Sequence, residues 1–151
     1  MSNFIRIGIA LVGLFGVAKA VNYINKRKIF ISFAMEDKRL RDLLVGQSRH
    51  GKTAFDFIDK SVRTPWDSAW KTHCREKIKS CDGVIALISK NSYQAEGARW
   101  EIKCAKEERI PLLAIYAQSD EKGWALPPEL SGVRVRKWTW KNIENFISKL
   151  N

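Results

Sequence analysis

Metal ligands are scarce in this chain: two histidines, His50 and His73, and three cysteines, Cys74, Cys81 and Cys104, with no Cys-x-x-Cys spacing. That donor set does not support a zinc site. Three unclustered cysteines read as buried, reduced thiols of a cytosolic domain rather than as a disulfide framework. Residues 1–35 contain no Asp or Glu, yet Arg6, Lys19, Lys26, Arg27 and Lys28 all fall there. The formal net charge of +11 over 151 residues is therefore lopsided towards the start of the chain. Also lacking is a basic helix face interleaved with aromatics, which argues against nucleic acid as a partner. No internal repeat or low-complexity tract occurs. The length suits one domain with a single core.

Ile7 to Ala18 carries no polar side chain. As a helix it would span roughly 18 Å, short of the ~30 Å hydrocarbon core of a bilayer. Residues 4–24 as a helix reach roughly 31 Å, with Arg6 and Lys19 near the ends, where long side chains snorkel. Asn25-Lys26-Arg27-Lys28 follows at once. The positive-inside rule then predicts a single-pass anchor in the inner membrane. Residues 1–27 form this anchor and its basic flank, and residues 28–151 form a domain in the cytoplasm. Ala18-Lys19-Ala20 also fits a signal-peptide cleavage pattern, which the basic flank opposes.

From Lys28 onward, strands alternate with helices. Ile29–Phe33, Ala54–Ile58, Val84–Ile88, Pro111–Tyr116 and Val133–Trp138 read as strands. The third is apolar throughout, as a strand covered on both faces must be. Asp37 reads as the cap of a helix bearing Leu40, Leu43 and Leu44 on one face. Asp67 or Ser68 reads as the cap of a second helix carrying Trp70, Cys74 and Ile78 at four-residue spacing. Ser92–Glu108 and Asn142–Leu150 complete the helices. This order predicts an α/β fold, a doubly wound, five-stranded parallel sheet of the flavodoxin-like kind, preceded by the apolar N-terminal helix. Ligands of such folds sit at the carboxyl ends of the strands. Here those ends carry Phe33, Ala34, the loop around Trp66, and Ser89 to Asn91.

Gly46 to Thr53, GQSRHGKT, fits the phosphate-loop pattern GxxxxGK[ST]. That loop works only between a preceding strand and a following helix, whose amides face the phosphates. Here a leucine-bearing helix precedes it and a strand follows, so it reads as a polar connecting loop with glycine at the turns. A phosphorelay receiver would need an acid after the third strand, where Ser89-Lys90-Asn91 stands instead.

FISFAMED at 30–37, FDFID at 55–59, a Trp-containing loop and helix, CDGVIALISKNS at 81–92 and ARWEIKCA at 98–105 follow in order. This series resembles the TIR-like domain of bacterial Thoeris antiphage proteins. The resemblance implies a five-stranded flavodoxin-like sheet and, in enzymatic members, cleavage of NAD+ at the nicotinamide–ribose bond to ADP-ribose or a cyclic relative. It implies that Glu101 is the catalytic carboxylate. Phe33 and Ala34 fall in the loop after the first strand, and Trp66, Asp67 and Trp70 in the segment before the second helix. Asn91 and Trp100 complete the expected NAD+-contacting set. NAD+ is the expected substrate; no tightly bound cofactor and no metal is expected. Self-association through the TIR-like domain is expected as well.

Nicotinamide leaves NAD+ as a neutral molecule, so the chemical difficulty is the oxocarbenium-like ribose left behind. A carboxylate beside that cation answers it, and aromatic faces from Phe33, Trp66 or Trp70 can hold a base. The competing reading of Glu101 is a solvated helix glutamate. For Trp66, Trp70 and Trp100 it is core packing, favoured at Trp100. Asp56 and Asp59 read as loop carboxylates, and Cys104 as a small core residue. For the whole chain the alternative is a non-enzymatic TIR interaction module, or a membrane effector that assembles through its apolar segment.

Overall fold

The computed structural model describes residues 26–50, 55–58, 69–118 and 123–151. The expected N-terminal helix over residues 4–24, with Trp66, Asp67 and Ser68, lies outside these. Among the described residues no helix is long and apolar enough to cross a membrane.

Five strands form one sheet, β1 (Arg27–Ser32), β2 (Phe55–Ile58), β3 (Gly83–Ile88), β4 (Leu112–Tyr116) and β5 (Val135–Arg136), in the order β2-β1-β3-β4-β5. All four pairings are parallel. The chain winds one way from β1 to β2 and the other way from β3 to β5, so β1 and β3 are neighbours at the reversal point.

Among the described residues four α-helices cover the sheet: α1 (Lys38–His50), α2 (Trp70–Lys79), α3 (Glu96–Glu107) and α4 (Trp140–Ser148). Side chains alternate along each strand. Ile29, Ile31, Ile85, Leu87, Leu113 and Ile115 pack with Leu44 of α1 and Ile143 and Ile147 of α4. On the opposite face, Phe30 and Val84 pack with Cys74 and Ile78 of α2 and Cys104 and Ala105 of α3. β3, at the centre, is buried at all six residues, which accounts for its unbroken apolar run. The three cysteines are buried and form no disulfide with one another. Gly83 admits α4 closely, for a Cβ there would lie 3.0 Å from Phe146 Cζ and 3.1 Å from Leu150 Cδ1.

Several boundaries differ from the sequence reading. The strand expected over Val133–Trp138 shrinks to Val135–Arg136. The Val133 amide closes a turn onto Leu130 O at 2.8 Å, and Thr139 caps α4 by accepting from the Asn142 amide at 3.2 Å. The helix expected over Ser92–Glu108 is divided into a 3-10 turn, Ser92–Gln94, and α3, with Ala95 between them at ψ 84°. α1 runs through Gly46 to His50, so the first five residues of the phosphate-loop match are helical, not a connecting loop. α2 starts after Ala69, which makes no side-chain cap; the expected cap at Asp67 or Ser68 falls outside the described residues. Leu43 stands 53% exposed and leaves the face shared by Leu40 and Leu44.

Candidate active site

At the carboxyl end of β1 the alternation sends Ser32 and Phe33 to opposite faces. The buried Ser32 hydroxyl donates to Ala98 O of α3 at 3.2 Å. Phe33, half-buried, packs towards α1, with the Arg41 guanidinium 5.4 Å from its ring centre. Ala34 is buried, and its carbonyl accepts from the Asp37 amide at 2.9 Å, turning the chain into a 3-10 turn at Met35–Asp37.

Asp37 is not the side-chain cap that its position before α1 suggests. It is 5% exposed, and its carboxylate reaches across the reversal point. Ser89 Oγ donates to one oxygen, and Asn91 Nδ2 donates to the other at 2.9 Å. The loop after β3 is ordered in turn: the Asn91 amide donates to Ser89 Oγ at 3.0 Å, and the Ser89 amide to Ser92 Oγ at 2.8 Å. No cation forms an ion pair with Asp37 among the described residues. A buried carboxylate that accepts from two neutral donors thus joins the loop after β1 to the loop after β3. Local patterning does not reveal this network; the one signal for it is the acidic pair Glu36-Asp37 in the turn that follows the first strand.

Glu101 sits on α3, three residues after Ala98 and four before Ala105, both buried and both on the sheet-facing side. It is half-buried, at the margin of that apolar stripe rather than on the solvent face. Because Ala98 O is held by Ser32, the first turn of α3 lies at the carboxyl end of β1, and Glu101 follows one turn along the helix. Trp100 points to the α2 side. Its ring centre is 4.9 Å from that of Trp70 in an edge-on arrangement, and both pack on the cluster containing Cys74 and Ile78. The packing reading of Trp100 therefore describes its surroundings.

Two ion-pair groups fix the helix that bears Glu101. On one flank, Arg75 of α2 lies 5.5 Å over the Trp100 ring, bonds Glu107 at 2.8 Å and forms a close pair with Glu108. Those carboxylates raise the Arg75 pKa, and Arg75 lowers that of Glu107. On the other flank, Arg99 grips Glu129 through two bonds of 2.9 and 3.0 Å. The pairing lowers the Glu129 pKa and raises that of Arg99. Lys106 ties down the same turn by donating to Glu129 O at 2.9 Å and Ser131 O at 2.8 Å. A carboxylate needs such support to keep one geometry during a reaction.

The expected residues thus fall into two groups. Phe33, Ala34 and Asn91 border the reversal point, and Glu101, Trp70 and Trp100 lie on α3 and at its contact with α2. Trp66 and Asp67 lie outside the described residues. Among the described residues no three His, Cys, Asp or Glu side chains are grouped to hold a metal.

Comparison with known proteins bears on this arrangement. A prokaryotic SEFIR domain shares the fold at a TM-score of 0.54 and 14% identity, with 82% of this chain and 89% of that one covered. The TIR domains of the activated Roq1 resistosome, which directly recognises the pathogen effector XopQ, align at a TM-score of 0.45 and 14% identity. There the match covers 60% of this chain and 57% of the other. No curated protein matches. The family model described as "Thoeris protein ThsB, TIR-like domain" matches residues 30–122, more than half of the chain, from the second half of β1 through β4 and including Glu101. The chain belongs to the ThsB TIR-like domain family of Thoeris proteins.

Proposed function

We propose that residues 28–151 form a TIR-like domain that cleaves NAD+ at the nicotinamide–ribose bond, in the antiphage setting that the family implies. Residues 4–24 tether it to the inner face of the membrane. The observation that carries the catalytic reading is the position of Glu101: half-buried, on the sheet-facing margin of α3, one turn from the contact between Ser32 and Ala98. Phe33, Ala34 and Asn91 supply one border for the dinucleotide and Trp70 and Trp100 another, where α2 meets α3; Trp66 and Asp67 join the dinucleotide-contacting set in this reading.

In this reaction the C1′–N bond breaks and its electron pair stays on nicotinamide, so no acid has to protonate the leaving group. Positive charge develops on the ribose, where the Glu101 carboxylate faces it. At ~4 Å and an effective dielectric near 20 the attraction is on the order of 4 kcal/mol. If it arises mainly in the transition state, it is worth roughly a thousandfold in rate. Water then adds at C1′ and loses a proton to bulk solvent to yield ADP-ribose; attack by an adenine nitrogen or a hydroxyl gives a cyclic product instead. The Asp37–Ser89–Asn91 network keeps the two border loops in register while this happens.

The test is nicotinamide release from NAD+ by the full chain at high protein concentration. Glu101→Gln should lower the rate by about a hundredfold to a thousandfold, and a variant that keeps its activity removes Glu101 from the mechanism. A second reading, a non-enzymatic interaction module, draws on two exposed apolar side chains, Met35 at 56% and Leu43 at 53%. Concentration-dependent self-association with no nicotinamide release would favour it.

A further inference from the structure

We propose that the edge of the sheet at which the strands begin docks on anionic phospholipid headgroups. In a doubly wound fold each helix ends where the next strand starts, so one edge collects strand starts and helix ends. In this chain that edge collects cations. Arg27 and Lys28 open β1, Lys79 ends α2, Arg109 follows α3, Arg134 precedes β5 and Lys149 follows α4. All but Arg27 are exposed.

The acids nearby, Asp82 and Glu76 among them, cancel these cations only in part. Asp82 accepts the Lys28 backbone amide at 2.7 Å. Glu107 and Glu108 are held by Arg75, and Glu76 stands 3.8 Å from Lys79. The side chains of Arg27, Lys28, Arg109, Arg134 and Lys149 enter no ion pair among the described residues. Helix carboxyl ends add about half a negative charge each, less than the full cation at or just beyond the ends of α2, α3 and α4. The opposite edge is mixed, with Glu36 and Glu96 beside Lys38, Lys90 and Lys137.

Two features select lipid as the occupant. The chain enters β1 at Arg27, on this edge, so a tether formed by the apolar stretch within the preceding 26 residues brings this edge, and not the carboxyl edge, towards a bilayer. The exposed large apolar side chains of the described residues, Met35, Leu43, Tyr93 and Leu126, are none of them at these strand starts or helix ends. The contact is therefore electrostatic, without the stacking rings that single-stranded nucleic acid uses. The carboxyl edge with Phe33 and Asn91 then faces away from the membrane.

The proposal rests on the tether reading for the approach of this edge, and the test separates the two. The full chain is mixed with vesicles of phosphatidylcholine alone, or with roughly one-third phosphatidylserine. Its lysines are labelled with a membrane-impermeant amine reagent and mapped by mass spectrometry. Phosphatidylserine should protect Lys79 and Lys149 and leave Lys38, Lys90 and Lys137 unchanged, and salt near 1 M should abolish the protection. Each cation near the surface is worth about fivefold in partitioning. Replacing three together, Lys79→Gln, Arg134→Gln and Lys149→Gln, should therefore weaken the preference for phosphatidylserine on the order of a hundredfold. The same loss of charge at Lys38→Gln, Lys90→Gln and Lys137→Gln should leave that preference in place. Attachment to both vesicle types with Lys79 and Lys149 still reactive overturns the lipid-facing edge and leaves the tether standing. Attachment to phosphatidylserine vesicles alone, with the protection seen, upholds the edge and removes the tether. Equal protection of both edges, or protection by duplex DNA or RNA but not by phosphatidylserine, overturns the proposal.

Discussion

Replacing Asp37 with alanine tests whether the carboxylate at the reversal point holds the cleft border together. Its two oxygens accept from Ser89 Oγ and Asn91 Nδ2. Bonds to a charged acceptor contribute about 1.5–3 kcal/mol each. Against that stands the desolvation of a carboxylate with no ion-pair partner among the described residues, which the substitution relieves. Asn91 is half-buried and regains water, but Ser89 is 3% exposed and its hydroxyl hydrogen loses its acceptor. The balance predicts a loss of about 3 kcal/mol for Asp37→Ala. At about 3–5 °C per kcal/mol for a domain of this size, the melting midpoint should fall by roughly 10 °C or more. Urea unfolding followed by circular dichroism should show a lower midpoint at unchanged slope. Ser89→Ala alone should lose about 1–2 kcal/mol. The double variant should lose less than the two singles added together, by a coupling of about 1–2 kcal/mol. Simple additivity of the two losses, within about 0.5 kcal/mol, would refute the account of a shared network.

Two further predictions concern α3 and its flanks. Arg109 follows the helix with φ 55°, and the Ile110 and Arg109 amides close the end onto Ala105 O and Lys106 O at 2.9 and 3.1 Å. That left-handed position favours glycine, so Arg109→Gly should stabilise the fold by about 1 kcal/mol, read as a higher urea midpoint. Glu129 has a depressed pKa, chiefly from its bonds to Arg99. Its contribution to stability is therefore complete above the ordinary glutamate value of 4.5 and is lost as the pH falls through the lower folded value. Glu129→Gln should cost stability near neutrality and flatten the acid limb of a stability–pH curve; an unchanged acid limb would contradict the assignment.

Sequence alone revealed much of this fold because burial on both faces leaves plain marks. β3 and β4 are apolar runs bounded by turn residues, and the spacing of Trp70, Cys74 and Ile78 announces one helix face. The failures came where non-local contacts overrule local pattern. Val133 to Trp138 alternates like a strand, but a turn at Gly132, φ 78°, and the cap of α4 take its ends. The pattern reads Gly46 as a turn residue, yet α1 continues through it at the usual cost of a helical glycine, about 1 kcal/mol relative to alanine. Asp37 obeys every local rule for a helix cap. Its partners lie 52 and 54 residues away, out of reach of any periodicity. Glu101 was singled out by the family resemblance, and nothing in its spacing alone distinguishes it from any other helix glutamate.

The brevity of β5 constrains how these domains can be stacked. A strand of two residues gives an incoming chain almost no backbone ladder to extend. A polymer growing from that side by sheet continuation would have no template. Higher-order assembly on that flank must therefore use helix surfaces and loops, and the specificity of any such polymer would be written in side chains rather than in main-chain amides.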